Sequence, residues 1–176
     1  MFDKEYSFKG PHADKVNKLT AKFDDKNQFF KRNYDVYYMA PIVGFLYQRK
    51  AKTDNGDGSI KPTKIFSEIL INNQDDLIMN YRLIMLLDKH NAPDIETRVD
   101  KAFRLFNSDA AAPDEELYDQ YVLGGVDVLY EKLVENVRSS EDYLRNLYDF
   151  LEEIDDRYYQ SIDTNQIDEL CKLAKR

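Results

Sequence analysis

Cysteine and histidine are nearly missing from this chain. The single cysteine, Cys171, excludes an internal disulfide framework and any cysteine-rich zinc site. The two histidines, His12 and His90, stand too far apart for HxxxH or HxH metal spacing. No metal ligand set and no cofactor motif is expected. The segment TDNGDGSIKPTK, Thr53 to Lys64, resembles half of an EF-hand loop. It has threonine at the first ligand position and lysine where the bidentate carboxylate belongs, so it reads as a turn-rich surface loop. Long apolar runs are also lacking. A membrane-spanning helix needs about 20 apolar residues. The main apolar run, Val36 to Tyr47, carries no charge but is far shorter and contains Pro41, so it reads as a core element and no membrane partner is expected. The opening MFDKEYSFKG is polar and charged where a secretion signal needs an apolar stretch, which predicts a cytoplasmic setting.

Catalytic signatures are absent as well. There is no GxSxG and no HExxH, and Gly124-Gly125 lacks the GxxxxGK[ST] or GxGxxG context of a phosphate loop. Cys171 has no histidine near it in sequence. No enzyme class is suggested, although a site can assemble from distant residues.

The 176 residues suffice for one domain with a real core. Tryptophan is absent, but tyrosine occurs 13 times. Tyrosine suits half-buried faces and interfaces, because its ring packs while its hydroxyl stays wet. The net charge of -8 is unevenly spread. Residues 1–64 carry 13 Lys and Arg against 8 Asp and Glu, net +5, whereas residues 65–176 carry 12 against 25, net -13. One folded domain with a basic and an acidic side is the plain reading of this asymmetry.

Periodicity predicts an all-α, single-domain helical bundle of about seven or eight helices over residues 1–176, with a long-helix hairpin at its C-terminal end. Gly10-Pro11 opens a first helix with Val16, Leu19 and Phe23 on one face. Phe29, Phe30, Asn33, Val36, Tyr37 and Ala40 keep helical spacing, and Pro41 predicts a break into two pieces. A loop follows from Ala51 to Thr63, then a helix from Lys64 to Asn73. The next helix starts at Asp75-Asp76 and is apolar on most faces, which places it centrally. Asp94 to Phe106 follows. Pro113 starts a long helix whose stripe runs in phase from Leu117 through Gly125 to Val137. A helix that keeps this glycine pair, at about 1 kcal/mol each, needs a neighbour approaching closely there. Ser139 to Asp142 is a capping signal. Behind it Leu144, Leu147, Leu151, Ile154 and Tyr158 form a two-heptad seam for a hairpin, or for another chain. A last helix is expected from about Asn165, carrying Ile167, Leu170 and Leu173 after Ile162. No stretch alternates over strand length, and no repeat is seen.

Two surfaces offer binding chemistry. Lys31, Arg32, Arg49, Lys50 and Lys52 bracket Tyr34, Tyr37, Tyr38 and Tyr47, the combination that contacts phosphates and stacks on bases. Glu152, Glu153, Asp155 and Asp156, with Tyr158 and Tyr159, form an acidic, aromatic surface for a protein partner. The first expectation is a non-enzymatic binding protein: an accessory, adaptor or inhibitor of an intracellular bacterial or phage system, related to nucleic acids or host defence. Direct nucleic-acid binding by the basic half is the second, and a helical enzyme with an unrecognised site is the third.

Overall fold

The computed structural model describes residues 1–158. It is mostly helical. Among the described residues run β1 (Tyr6–Phe8), α1 (Gly10–Leu19), α2 (Asn33–Leu46), β2 (Thr63–Ile65), α3 (Ser67–Asn72), α4 (Gln74–Leu87), α5 (Ile95–Val99), α6 (Ala112–Leu133) and α7 (Ser140–Tyr158). The expected last helix from Asn165 lies outside the described residues, as do Tyr159 and Cys171.

The centre of the molecule is the crossing of α2 and α6. Val36, Tyr37, Ala40 and Val43 of α2 meet Tyr121, Val122, Val126 and Leu129 of α6, all buried. The helices touch backbone to backbone. A methyl group on Gly125 would overlap the Ala40 carbonyl oxygen, and one on Gly44 would overlap the Tyr121 carbonyl oxygen. The glycine pair therefore serves internal packing, through the close neighbour that the unbroken stripe demands.

Pro41 does not break α2 into two pieces. The helix is continuous from Asn33 to Leu46 with Pro41 buried inside it. An internal proline costs about 3 kcal/mol. Each fully buried large apolar side chain returns about 1.5–3 kcal/mol, and α2 buries several against α6. Proline also removes the donor that would bond the Tyr37 carbonyl. The adjacent Tyr38 carbonyl accepts an N–H from buried Asn80 of α4 at 2.9 Å.

Three further expectations are corrected. The helix at 10–23 ends at Leu19, and residues 20–32 form an irregular arm. Asp24 turns the chain there, its carboxylate accepting the N–H groups of Lys26 and Asn27 at 2.7 Å; these bonds, with that of the Asn27 side chain foremost, hold its carboxyl below the usual range. A short antiparallel pair, β1 with β2, joins Tyr6 to Ile65 and Phe8 to Thr63. Three-residue strands are too short to show a period, and their pairing is set by distant chain. Finally, α4 is not apolar-buried all round. Leu77, Tyr81, Ile84 and Met85 face the core, but Met79, Leu83 and Leu87, four residues apart, form an exposed stripe.

Local chemistry fixes the remaining ends. Buried Arg98 donates to the carbonyls of Leu86, Ala92 and Pro93 at 2.9, 2.8 and 2.6 Å, closing the C-terminus of α4. Asp142 accepts the N–H of Ser139 at 2.9 Å while its own N–H reaches the Ser139 hydroxyl at 3.4 Å, the reciprocal cap that Ser139 to Asp142 predicts. Asn136, at φ 66°, turns the chain between α6 and α7, so Val137 falls outside the α6 stripe.

Candidate functional site

Among the described residues lies an apolar groove of about 620 Å³. Its floor is the face Met39, Ile42, Val43 and Leu46 of α2, spaced three and four apart, together with Leu129 and Leu133 of α6. One wall is α7, through Leu144, Leu147, Phe150, Leu151 and Ile154. The arm closes the other side with Phe23, Phe29 and Phe30, and adds the amides of Asn27 and Gln28.

An aromatic clasp holds one end. Phe23 stacks on Tyr143 at 4.8 Å, Phe29 lies 5.7 Å from the same ring, and the Ser140 hydroxyl donates to the Phe23 carbonyl at 3.0 Å. At the other end Phe150 stacks on Tyr47, whose ring faces the Arg157 guanidinium at 4.4 Å. Lys132 of α6 pairs with Glu153 of α7 at 2.5 Å.

The wall is only half covered. Of the α7 seam, Leu147 and Ile154 are partly buried, but Leu144 is 59% and Leu151 56% exposed. Tyr148, between them on the helix, is 65% exposed. This apolar edge faces water, beside an acidic one. Asp155 lies one turn beyond Leu151 on the same face, and Glu152, Asp155 and Asp156 are exposed and form no ion pair among the described residues. Glu153 is different: it is bound to both Lys132 and Arg157, and the Lys132 bond chiefly lowers its carboxyl. Tyr158 is the last described residue of α7, and Tyr159 lies outside the described residues.

The basic residues do not gather. Lys31 and Arg32 precede α2, while Arg49, Lys50 and Lys52 follow it. A 14-residue helix, about 21 Å long, separates the two groups. Arg32 is bound to Asp35 at 2.8 Å and lies over Tyr34. Arg49 reaches Glu131 at 3.1 Å. The Lys50 ammonium sits 4.8 Å from the centre of the Tyr121 ring. Lys31 and Lys52 are exposed. Arg49 thus pairs with an acidic residue of the C-terminal half, as Lys15 also does with Asp127 at 2.7 Å, whereas Arg32 pairs within the N-terminal half.

A second, smaller feature surrounds Asp119 of α6. Two shallow hollows of about 290 and 240 Å³ share Thr53, Asp119 and Leu123. Burial, aided by Glu115 and Glu116, pushes the Asp119 carboxyl up to about 7. His12 opens on the same hollow, but its Nε2 is 3.4 Å from Asp127 and faces that carboxylate. Burial raises Asp127, yet the bonds and charges of His12 and Lys15 outweigh it and hold the carboxyl low. In the loop after α2, Asp54 and Asp57 accept N–H groups of their own turns at 2.8 and 2.9 Å. No three His, Cys, Asp or Glu side chains gather as a metal site among the described residues, and no described helix is long and apolar enough to cross a membrane.

The groove floor and the arm were not read as a site from sequence. The signal was present in the spacing of Met39, Ile42, Val43 and Leu46, but it is indistinguishable from an ordinary core face until the partner helix is placed. Searches of protein-family models, curated proteins and solved structures find no match for this chain.

Proposed function

We propose that this chain is a non-enzymatic binding protein whose groove receives an amphipathic helix of a protein partner. The partner's apolar side enters between α2 and α7, and its basic residues meet Glu152 and Asp155. The observation that carries this reading is the half-covered α7 wall: Leu144, Tyr148 and Leu151 lie open at the edge of a 620 Å³ apolar groove. Helix-in-groove recognition uses anchors at three- and four-residue spacing, and contiguous exposed apolar surface is the kind that interaction sites use. Charge complementarity then selects a basic ligand. In this reading α6 and α7 act as a hairpin within a single helical bundle. The protein serves as an accessory, adaptor or inhibitor subunit in an intracellular system. The separation of Lys31 and Arg32 from Arg49 and Lys50, with Arg32, Arg49 and Lys50 each engaged locally, disfavours a phosphate-binding track.

The test titrates the full chain into a labelled 18-residue helix of leucine and lysine, with leucines at i, i+3, i+4 and i+7. A peptide of identical composition and scrambled order is the control. Fluorescence anisotropy should show binding of the patterned peptide only, weakened at least about tenfold by Leu144→Asp or Leu151→Asp, a loss near 1.4 kcal/mol. Both side chains are more than half exposed, so the fold tolerates the change. Equal binding of the scrambled peptide, or variants that bind as the parent does, would refute the groove as receptor.

A further inference from the structure

We infer that α7 is also a contact between two copies of this chain: its outer face seats antiparallel on the same face of a second copy, with Arg145 of each chain paired to Glu152 of the other. The inference goes beyond the helix-receptor reading above and does not depend on it.

The face is self-complementary. Leu144, Tyr148 and Leu151 stand four and three residues apart on α7, the spacing of a helix–helix seam, and each is more than half exposed. Glu141 and Asp155 continue the same line at its two ends and are also exposed. Arg145 and Glu152 lie beside this line, on the flank away from the groove, exposed and seven residues apart. These residues form three couples that straddle Tyr148: Leu144 with Leu151, Arg145 with Glu152, and Glu141 with Asp155. A two-fold axis across the helix at Tyr148 carries each member of a couple onto the position of the other. Leu144 then meets Leu151 of the second copy, Tyr148 meets Tyr148 of the second copy, and Arg145 meets Glu152 of the second copy; the leucine contact and the ion pair each form twice. Charge selects this direction. In a parallel pair the Arg145 flank would face the groove flank of the second copy, which carries Leu147 and Ile154, and find no acid there. Glu152 has no ion partner among the described residues. Arg145 holds Asp142 of its own chain, and its guanidinium fork has donors left for a second carboxylate. The like charges of Glu141 and Asp155 of the second copy meet at both ends, and two heptads are short for a helix pair. The pairing is therefore weak, and because one face meets its own copy it stops at two chains.

The experiment is sedimentation equilibrium of the full chain from about 5 µM to about 0.5 mM in about 0.15 M salt, which covers a weak interface and screens the repulsion between two chains of net charge -8. The parent should form a reversible dimer and nothing larger. Arg145→Glu and Glu152→Arg should each weaken it at least about tenfold, because both ion pairs become repulsive. Mixed together, the two variants should pair as the parent does, since one presents two acids and the other two bases. The double variant, Arg145→Glu with Glu152→Arg, should also pair as the parent does. The two positions are about 10.5 Å apart along one helix, too far to bond within a chain, so either rescue requires a second copy. A helix merely weakened by losing the bond from Arg145 to Asp142 would not be rescued. A parent that stays monomeric throughout, a dimer that the single variants leave intact, or a loss that neither mixing nor the double variant restores overturns the inference. The receptor is read separately: Arg145→Glu keeps Leu144, Tyr148 and Leu151, so its titration with the leucine–lysine helix shows whether the groove binds, whatever the outcome for pairing.

Discussion

Gly125→Ala sets two effects of opposite sign against each other. Within a helix, alanine is more favourable than glycine by about 1 kcal/mol. If α6 were merely a helix with an open side at Gly125, the variant would be stabilised by that amount. Instead, the new methyl group would overlap the Ala40 carbonyl oxygen and come within 2.9 Å of the Gly44 nitrogen. Both obstacles are backbone, so no side chain can rotate away. The helices must separate, and every layer of the crossing loosens with them, from Tyr37 to Leu129. Overpacking of a dense core costs about 1–3 kcal/mol and occasionally more. A rigid backbone obstacle belongs at the upper end, which leaves a net loss of about 2 kcal/mol after the helix gain. For a chain of this size each kcal/mol lowers Tm by about 2–4 °C. Urea unfolding followed by far-ultraviolet circular dichroism should show a lower midpoint with an unchanged slope. Adding Ala40→Gly should give no rescue, since the obstruction is the carbonyl and not the side chain. A stabilised Gly125→Ala variant, or a rescue by Ala40→Gly, would refute the backbone contact.

Asp119→Asn tests the raised carboxyl. Its folded pKa, about 7, lies above the unfolded value near 3.8, so the folded state holds its proton longer and wild-type stability falls as pH rises between those values. The variant lacks that fall and should gain about 1–2 kcal/mol over the parent at pH 8, allowing for partial solvent screening, and little at pH 4; an equal difference at both pH values would contradict the assignment. Arg98→Met keeps the packing but leaves the carbonyls of Leu86, Ala92 and Pro93 without their donor, and should cost about 2–4 kcal/mol in the same urea assay; a loss below 1 kcal/mol would show that the carbonyls find other donors. Tyr118 is fully buried, and its hydroxyl has no bonding partner among the described residues. Tyr118→Phe should therefore raise stability by about 1 kcal/mol, and a comparable loss would reveal a bond to that hydroxyl.

Legibility in the sequence followed the range of the interaction involved. The α6 stripe of Leu117, Tyr121, Val122, Gly125 and Leu129 was readable because a 22-residue helix repeats its signal over many turns. The cap at Ser139 and Asp142 was readable because it is closed within four residues. Pro41 misled, since its local cost is real but smaller than the burial of α2 on α6. Phe29 and Phe30 keep helical spacing with α2, yet Arg32 and Asp35 cap that helix after them and the two rings serve the arm instead. The strand pair joins residues about 60 positions apart, beyond any window of periodicity. The groove was hidden for the same reason: its floor, wall and clasp come from four separate stretches. The seam Leu144, Leu147, Leu151 and Ile154 was visible, but not that half of it stays in water.

The α2–α6 crossing has a consequence for the order in which the molecule assembles. Ala40 and Gly125 are far apart along the chain, and bringing such distant segments together carries a loop-closure entropy of about 4 kcal/mol. Local helices cannot offset that before the crossing forms, because the side chains they would bury are those of the crossing itself. Folding of this largely helical protein should therefore be slower than helix content alone suggests, and closer to that of topologies dominated by distant pairings. During synthesis α2 leaves the ribosome long before α6 exists. Its uncharged face from Val36 to Leu46 waits in the open while about 80 further residues are added, which takes roughly 4–16 s at ordinary translation rates. A chaperone that holds short apolar helices has that interval in which to act.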